Sequence, residues 1–321
     1  MHPSAAERRR PLMAAEIARV VRALGENVVG LDATPLVGGL DTATYRLDVR
    51  LSDGTARSYV LHHYRGWDPV RARDRVNRER RLLEALGPLF RWAPRTLLSD
   101  PDGAWLGEPA TVLTYLPGAP TPPPQVASGP ARDTWIEEFA RPLVALHDIP
   151  LGRLPSDCRT DDPDGGLEGV AREARDDDLS RALLAALRRT GPPRAAPRAL
   201  LHHDYWYGNT LWSDGGLSGV IDWISARIGD PQKDVALARC DLAVTLDLRA
   251  SNEFVDRYRS LGGPWGAFAY WDLLWALMGY RWIEEWLGGY AELGLSDLSL
   301  EEGRARIVAF AESALRAASA S

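Results

Sequence analysis

Cysteine is scarce in this chain. Cys158 and Cys240 are the two present, and neither has a second Cys or a His at metal-ligand spacing, which excludes a disulfide framework and a structural zinc site. A reducing cytoplasm fits that usage. Long hydrophobic runs are missing too: no stretch approaches the roughly 18 to 20 uncharged residues that a membrane span requires. Arg8-Arg9-Arg10 could open a signal peptide, but Glu16, Arg19 and Arg22 interrupt the run behind it, so secretion is not expected. A basic excess is absent as well. The formal charge of −6 argues against a nucleic-acid-binding surface, whose footprint is a basic stripe, and leaves room for a pocket that attracts cations.

What is present is ordinary for a soluble globular protein of one large domain or two: 321 residues, 45% hydrophobic and 26% charged. Ile17, Val20, Val21 and Leu24 recur at helical spacing before Gly25, which predicts an amphipathic helix over residues 12–24. Three β-rich runs follow, 28–37, 43–51 and 57–64, with Ser52-Asp53-Gly54 as the turn between the last two; together they read as an antiparallel meander. Between the first two lies Gly38-Gly39-Leu40-Asp41-Thr42-Ala43-Thr44-Tyr45. Glycines let a backbone approach a phosphate without a Cβ in the way, although paired glycines also serve simply as a hairpin turn. No Gly-Lys-Ser/Thr follows, which excludes a Walker loop.

The third run carries His62, and a charged helix over residues 70–86 carries Glu79 among arginines. Glu79 is either a partner for a cation on the strand or a solvated neighbour of those arginines. Residues 95–98, 104–106 and 110–116 read as further strands. Leu113-Thr114-Tyr115-Leu116 runs straight into Pro117-Gly118 and a proline cluster, a change of composition that marks a boundary near residue 117. Helical spacing returns over 135–147. His147, at the end of that helix, reads as structural. The acidic stretch 157–178 reads as a solvated loop and helix start, with the rim of a cation pocket as the second possibility.

The most informative stretch is Leu200-Leu201-His202-His203-Asp204-Tyr205-Trp206-Tyr207-Gly208-Asn209. Behind it, Asp214-Gly215-Gly216 is a strong turn signal between two apolar runs, 210–212 and 217–221, that should pair as a hairpin. A turn centred between Gly215 and Gly216 places Asn209 opposite Asp222 at the open end. Two adjacent oxygen ligands suit Mg²⁺, a hard cation that completes its octahedron with water and phosphate oxygens. Asp204 then lies near the same end as a carboxylate able to accept a hydroxyl proton. Each residue alone could be a cap or an Asx-turn; their joint spacing points to phosphoryl-transfer chemistry.

His202-x-Asp204-x4-Asn209 resembles the kinase catalytic loop, with Ile221-Asp222-Trp223 standing where protein kinases have Asp-Phe-Gly. The Ile-Asp-Trp form, with Gly229-Asp230-Pro231 and Asp234-Val235-Ala236 after it, is similar to the aminoglycoside phosphotransferase and choline kinase group of small-molecule kinases. The resemblance runs from Gly38-Gly39 to Ala236. It implies an α+β, bilobal, protein-kinase-like fold: residues 1–116 as a small antiparallel β-sheet lobe with a helix that binds nucleotide, and 117–321 as a larger, mainly helical lobe for catalysis and substrate.

By the same resemblance Asp204 is the catalytic base or hydroxyl-orienting carboxylate, His202 buttresses the loop, and Asn209 and Asp222 bind Mg²⁺. Asp230 and Asp234 tie the loop to the helix beginning near Pro231. Gly38, Gly39 and Thr42 cover the phosphates of ATP or GTP, Glu79 orients the cation of the third strand, and Thr114, Tyr115 and Leu116 offer hinge backbone to the adenine. The sequence departs from the family pattern twice: His62 stands where Lys or Arg is usual, and Thr42 where Asn is frequent. Histidine, with an ordinary pKa near ~6.5, is the poorer permanent cation.

The aromatic run 265–290 contains Trp271, Trp275, Trp282 and Trp286 at helical intervals, with Asp272, Glu284 and Glu285 between them. Core packing explains such a stripe, and so does an amine-bearing ligand held by aromatic faces and carboxylates. Asp272, Trp275, Trp282 and Glu285 are therefore candidate substrate contacts. The expectation is a cytoplasmic kinase, monomeric or homodimeric and without nucleic-acid or membrane partners. It phosphorylates a small-molecule hydroxyl, that of an antibiotic such as an aminoglycoside first and that of an amino alcohol or sugar derivative second. A nucleotide-binding protein with little activity is the alternative raised by His62. A protein kinase ranks lower, because no Ala-Pro-Glu-type segment follows Asp222.

Overall fold

The computed structural model describes residues 10–25, 27–36, 42–121, 129–194, 197–294 and 297–320. The chain divides into two compact units, residues 1–117 with 154–157, and 118–153 with 158–321.

In the first unit, helix α1 (Ala14–Leu24) precedes strands β1 (Val28–Pro35), β2 (Ala43–Leu51) and β3 (Ala56–His63). Helix α2 (Pro69–Leu86), β4 (Thr96–Asp100) and β5 (Ala110–Thr114) follow. All five strands pair antiparallel in the order β1-β2-β3-β5-β4. Side chains alternate across a strand, so Ala43, Tyr45, Leu47 and Val49 of β2 all face the core, where Val20, Leu61 and Val112 join them. Helix α2 starts sharply because the Asp68 carboxylate accepts the Arg71 N–H at 3.0 Å and Pro69 occupies the first turn, both favourable at a helix N-terminus. Its buried positions Ala72, Val76, Glu79, Leu83 and Leu86 recur every three or four residues, a single apolar stripe interrupted by one carboxylate.

Residues 104–106 are not a strand. The Asp100 carboxylate accepts the Ala104 N–H at 2.9 Å and the Trp105 N–H at 2.6 Å, and Gly103 is left-handed with φ 74°. A side chain competing for backbone donors beside a left-handed glycine favours a turn over a ladder.

The second unit contains helices α3 (Pro130–His147), α4 (Leu167–Glu173), α5 (Asp178–Thr190), α6 (Gln232–Thr245), α7 (Leu248–Ser260), α8 (Ala269–Glu292) and α9 (Leu300–Ala320). Two small antiparallel pairs accompany them: β6 (Ala199–Leu201) with β9 (Arg227–Gly229), and β7 (Thr210–Ser213) with β8 (Gly216–Val220). Buried Arg132 of α3 binds the Asp247 carboxylate through both Nη atoms, at 2.9 and 3.1 Å, and Glu253 through Nε at 2.9 Å. Asp247 also caps α7 through the Ala250 N–H, so one carboxylate fixes both the helix start and the helix it packs on. Stacked rings at Phe139, Trp135 and Tyr205 fill the interior beside β6. The acidic stretch is spent locally: Asp157 binds Arg81 within the first unit, Asp177 caps α5 at the Ser180 N–H, and Asp161 pairs with Lys233. Among the described residues no helix is long and apolar enough to cross a membrane.

Candidate functional site

Strand β6 is buried along its length and ends at the loop of interest. Asp234, in the first turn of α6 and 1% exposed, receives that loop. Its two carboxylate oxygens accept the main-chain N–H groups of His202 at 2.7 Å and His203 at 2.8 Å. Burial pushes the Asp234 carboxyl up, but the bond from His147 and the neighbouring histidines outweigh it and hold the carboxyl below its ordinary value. His147 is anchored in turn, its Nδ1 lying 2.7 Å from the Tyr258 hydroxyl. A buried carboxylate that holds two consecutive backbone donors fixes a loop without needing a helix or a strand.

His202 is fully buried, and burial lowers its pKa. Its Nε2 lies 2.8 Å from the Ile221 carbonyl oxygen, an acceptor, so Nε2 carries the proton. The ring meets Trp223 edge-on at 4.8 Å. The histidine thus connects the segment before Asp204 to the segment before Asp222.

Asn209 closes the loop on Asp204. Its side-chain amide donates to the Asp204 carboxylate at 2.8 Å and to the Asp204 carbonyl at 2.9 Å. Since Nδ2 faces Asp204, the amide oxygen points elsewhere and remains available as a ligand. The hairpin register is one residue off the symmetric expectation. Ser213 pairs with Gly216, so the turn centres on Asp214-Gly215, and an irregularity between Leu211 and Trp212 then brings Thr210 opposite Val220. Asn209 therefore meets Ile221, whose N–H donates to the Asn209 carbonyl at 2.9 Å, and not Asp222.

Asp222 comes next, with φ 64° and ψ 60°. It and His203 (φ 68°) are the non-glycine residues at positive φ among the described residues. Left-handed backbone costs an L-residue on the order of 1 kcal/mol. Both lie within the same site, which gives the strain a functional reading. The fit of a hard divalent cation rests on oxygen donors alone: the Asn209 amide oxygen and the Asp222 carboxylate, with water and phosphate to complete the shell. Among the described residues no group of three His, Cys, Asp or Glu side chains could hold a metal without such help.

The first unit holds the residues predicted for the nucleotide. His62 pairs across β3 with Thr44 and Thr111, and its Nδ1 lies 3.7 Å from Glu79 Oε1. Glu79 is buried and accepts the Tyr64 hydroxyl at 3.0 Å. It is not a solvated partner of the surface arginines. Burial raises the Glu79 carboxyl, yet the His62 contact and the Tyr64 bond leave it below its ordinary value. Thr42 is nearly buried, 3.4 Å from the Thr44 hydroxyl; Gly38 and Gly39 lie outside the described residues. The β5 ladder ends at Thr114, whose N–H and hydroxyl both engage Arg95. Beyond it Tyr115 and Leu116 have no main-chain hydrogen bond among the described residues, and the Arg46 guanidinium covers the Tyr115 ring at 4.7 Å.

The predicted substrate residues divide. Asp272 is buried against the Arg239 guanidinium, and Trp275 is buried with its indole N–H on the Lys233 carbonyl at 2.9 Å. Helix packing uses both. Trp282 is half-buried under Arg281, which also reaches exposed Glu285 at 3.9 Å.

Two features escaped the sequence reading. Asp241 lies seven residues after Asp234, two turns along the same face of α6, and is 1% exposed. It accepts the Tyr290 hydroxyl at 2.5 Å. Burial pushes its carboxyl up to about 7, opposed by Tyr290 and by the Tyr207 N–H and reinforced by the charge of Asp204. The seven-residue spacing was visible, but its use required knowing what α6 packs against. Lys233 is the single lysine of the sequence. It is committed to Asp161 at 2.7 Å, where His203 and Arg227 also converge at 3.4 Å.

No curated protein matches the chain. Solved structures do. A protein of Ralstonia eutropha jmp134, provisionally assigned as an aminoglycoside phosphotransferase, is 15% identical with a TM-score of 0.67, covering 94% of this chain and 98% of that one. The macrolide 2'-phosphotransferase MphH of Brachybacterium faecium is 21% identical with a TM-score of 0.62, covering 91% and 97%. The choline kinase LicA of Streptococcus pneumoniae is 16% identical with a TM-score of 0.58, covering 94% and 98%. At such identities the likeness is one of fold, the α+β protein-kinase-like fold. The profile of the phosphotransferase enzyme family matches residues 32–274, spanning both the His62–Glu79 pair and the Asp204 loop. The chain belongs to the phosphotransferase enzyme family.

Proposed function

We propose that this phosphotransferase moves the γ-phosphoryl group of ATP or GTP to a hydroxyl of a small molecule, with Asp204 as the base that takes or orients the hydroxyl proton. The favoured acceptor is an antibiotic such as an aminoglycoside, and an amino alcohol such as choline is the next to try. The observation that carries this reading is the double hydrogen bond from Asn209 to Asp204, which orients one carboxylate in a loop fixed from below by Asp234.

Mg²⁺ held by Asn209 and Asp222 would neutralise charge on the phosphate oxygens. The chain's own groups supply position. Asp234 holds the entry to the loop, His202 couples it to the Asp222 segment, and Asn209 fixes the carboxylate, so little reorganisation is left for the reaction itself. In the first unit, residues 1–116 serve the nucleotide: Glu79 orients His62 toward the phosphates, Thr42 with Gly38 and Gly39 covers them, and the open main chain of Tyr115 and Leu116 receives the base. We assign the protein to a reducing cytoplasm, a reading that the scarcity of cysteine, with Cys158 and Cys240 the two in the sequence, supports.

The test is a radiolabelled transfer screen with ATP and GTP over kanamycin, erythromycin and choline. Asp204→Asn should lower turnover by roughly 10²- to 10⁴-fold, the range of general-base contributions, while nucleotide still raises the melting temperature. Near-native turnover by this variant would remove Asp204 from the role.

A further inference from the structure

Two residues beyond Asp204 the loop carries a tryptophan. Trp206 is half-buried. Its ring sits 5.6 Å from Tyr207, edge-on, and 5.3 Å from Tyr290 of α8. Gly208 lies directly against it: a Cβ at that position would come within 2.1 Å of the indole. The Trp206 carbonyl accepts the Asn209 N–H at 3.0 Å, and Tyr290 is itself pinned to Asp241. The indole is therefore held by the loop that carries Asp204 and Asn209 and by a tyrosine with a fixed hydroxyl. A partly exposed aromatic ring ordered in advance loses little freedom when a ligand lands on it.

Elsewhere in this unit some tryptophan rings lie under cations. Arg259 lies over Trp265 at 4.7 Å, Arg281 over Trp282 at 4.4 Å and Lys233 over Trp271 at 5.6 Å. Among the described residues no cation lies over Trp206, and its indole N–H makes no hydrogen bond. An acidic group of its surroundings is Asp204, two positions back on the loop. An electron-rich face beside a carboxylate attracts a cation.

We propose that Trp206 forms the acceptor-side wall of the active site and that its open face takes the ammonium group of an amine-bearing acceptor whose hydroxyl lies at Asp204. This rests on the phosphoryl-transfer reading for the acceptor's hydroxyl, but the amine contact can be measured without turnover. Gly208 is the position that allows the wall, since any side chain there would displace the indole.

The full chain labelled with 5-fluorotryptophan gives one fluorine resonance per tryptophan, and Trp206→Phe identifies the one that matters. Titration with kanamycin and with tetramethylammonium should shift that resonance saturably, and uncharged sucrose should not. If neither amine moves it, or if sucrose moves it as far, the proposal is overturned, whether or not transfer to any acceptor has been detected. Where kanamycin is phosphorylated, Trp206→Leu should raise its KM roughly 5- to 30-fold, the range of a partly desolvated cation–π contact. Trp206→Phe should recover part of the loss, with kcat and the KM for ATP unchanged. A joint loss of kcat and ATP affinity in Trp206→Leu would instead mark a residue that only holds the loop, and would overturn the assignment. Failure of the transfer screen alongside a saturable fluorine shift would sink the phosphoryl-transfer reading and leave the amine site standing.

Discussion

The Asn209 side-chain amide donates to Asp204 twice, at 2.8 Å to the carboxylate and at 2.9 Å to the carbonyl. One residue thereby sets the direction of the proposed base and, through its remaining oxygen, offers a ligand to a cation. Replacing Asn209 by Ala removes both functions. Misplacing a reacting group by about 1 Å can cost roughly 10²-fold, so kcat should fall at least that far and the Mg²⁺ concentration at half-maximal rate should rise. Unchanged Mg²⁺ dependence in steady-state rates would show that Asn209 orients Asp204 but does not ligate.

Asp234 supports the loop from the other side. In Asp234→Asn one of the two acceptor oxygens becomes a donor facing a main-chain N–H. A buried donor left unsatisfied costs about 1–3 kcal/mol. For a unit of this size each kcal/mol lowers the melting temperature by about 2–4 °C. Calorimetry should record that drop together with a fall in kcat, because the displaced residues, His202 and His203, lead directly into Asp204.

Asp241 gives stability a pH dependence of defined sign. Its carboxyl titrates at about 7 in the folded protein and near ~3.9 when unfolded. Between these values the native state binds the extra proton. The stabilisation from a neutral Asp241 is therefore full below about pH 4 and is lost as pH rises toward 7. Denaturant titrations of Asp241→Asn should lose this part of the slope, on the order of 1 kcal/mol per pH unit, and keep the part from Asp272, which burial likewise pushes up to about 7. A variant with the same slope as the wild type would place the titrating group elsewhere.

His62 stands 3.7 Å from Glu79, on the strand position where a permanent cation is usual in the family the sequence resembles. His62→Lys supplies one, already partnered by a buried carboxylate. The KM for ATP should fall on the order of 10-fold, the factor that corresponds to about 1.4 kcal/mol. Equal KM values for the two proteins would separate His62 from phosphate binding.

Much of the site was legible from spacing. His202, Asp204, Asn209 and Asp222 lie within twenty-one residues of chain, and a strand, a loop and a hairpin brought them together as local rules require. The hairpin register was not legible to the residue. The turn centred on Asp214-Gly215 and an irregularity past Leu211 shifted the partner of Asn209 from Asp222 to Ile221, a choice made by strand twist and packing that turn residues alone leave open. The tryptophan stripe of 265–290 was ambiguous for a related reason. Helical spacing names a face, while the neighbour of that face decides whether Asp272 and Trp275 meet a ligand or, as found, Arg239 and a carbonyl.

The sequence by itself determined the kinds of element, the acid and amide groups and their order along the chain, because these depend on contacts a few residues apart. Tertiary structure alone decided that Asp234 and Asp241, two turns apart on α6, face the loop at Asp204. It also decided that Glu79 is buried against His62 and that the Trp206 indole is held by Tyr290 from eighty-four residues away. Those are long-range pairings, and their selection depends on how whole helices bury their apolar faces, which no local spacing records.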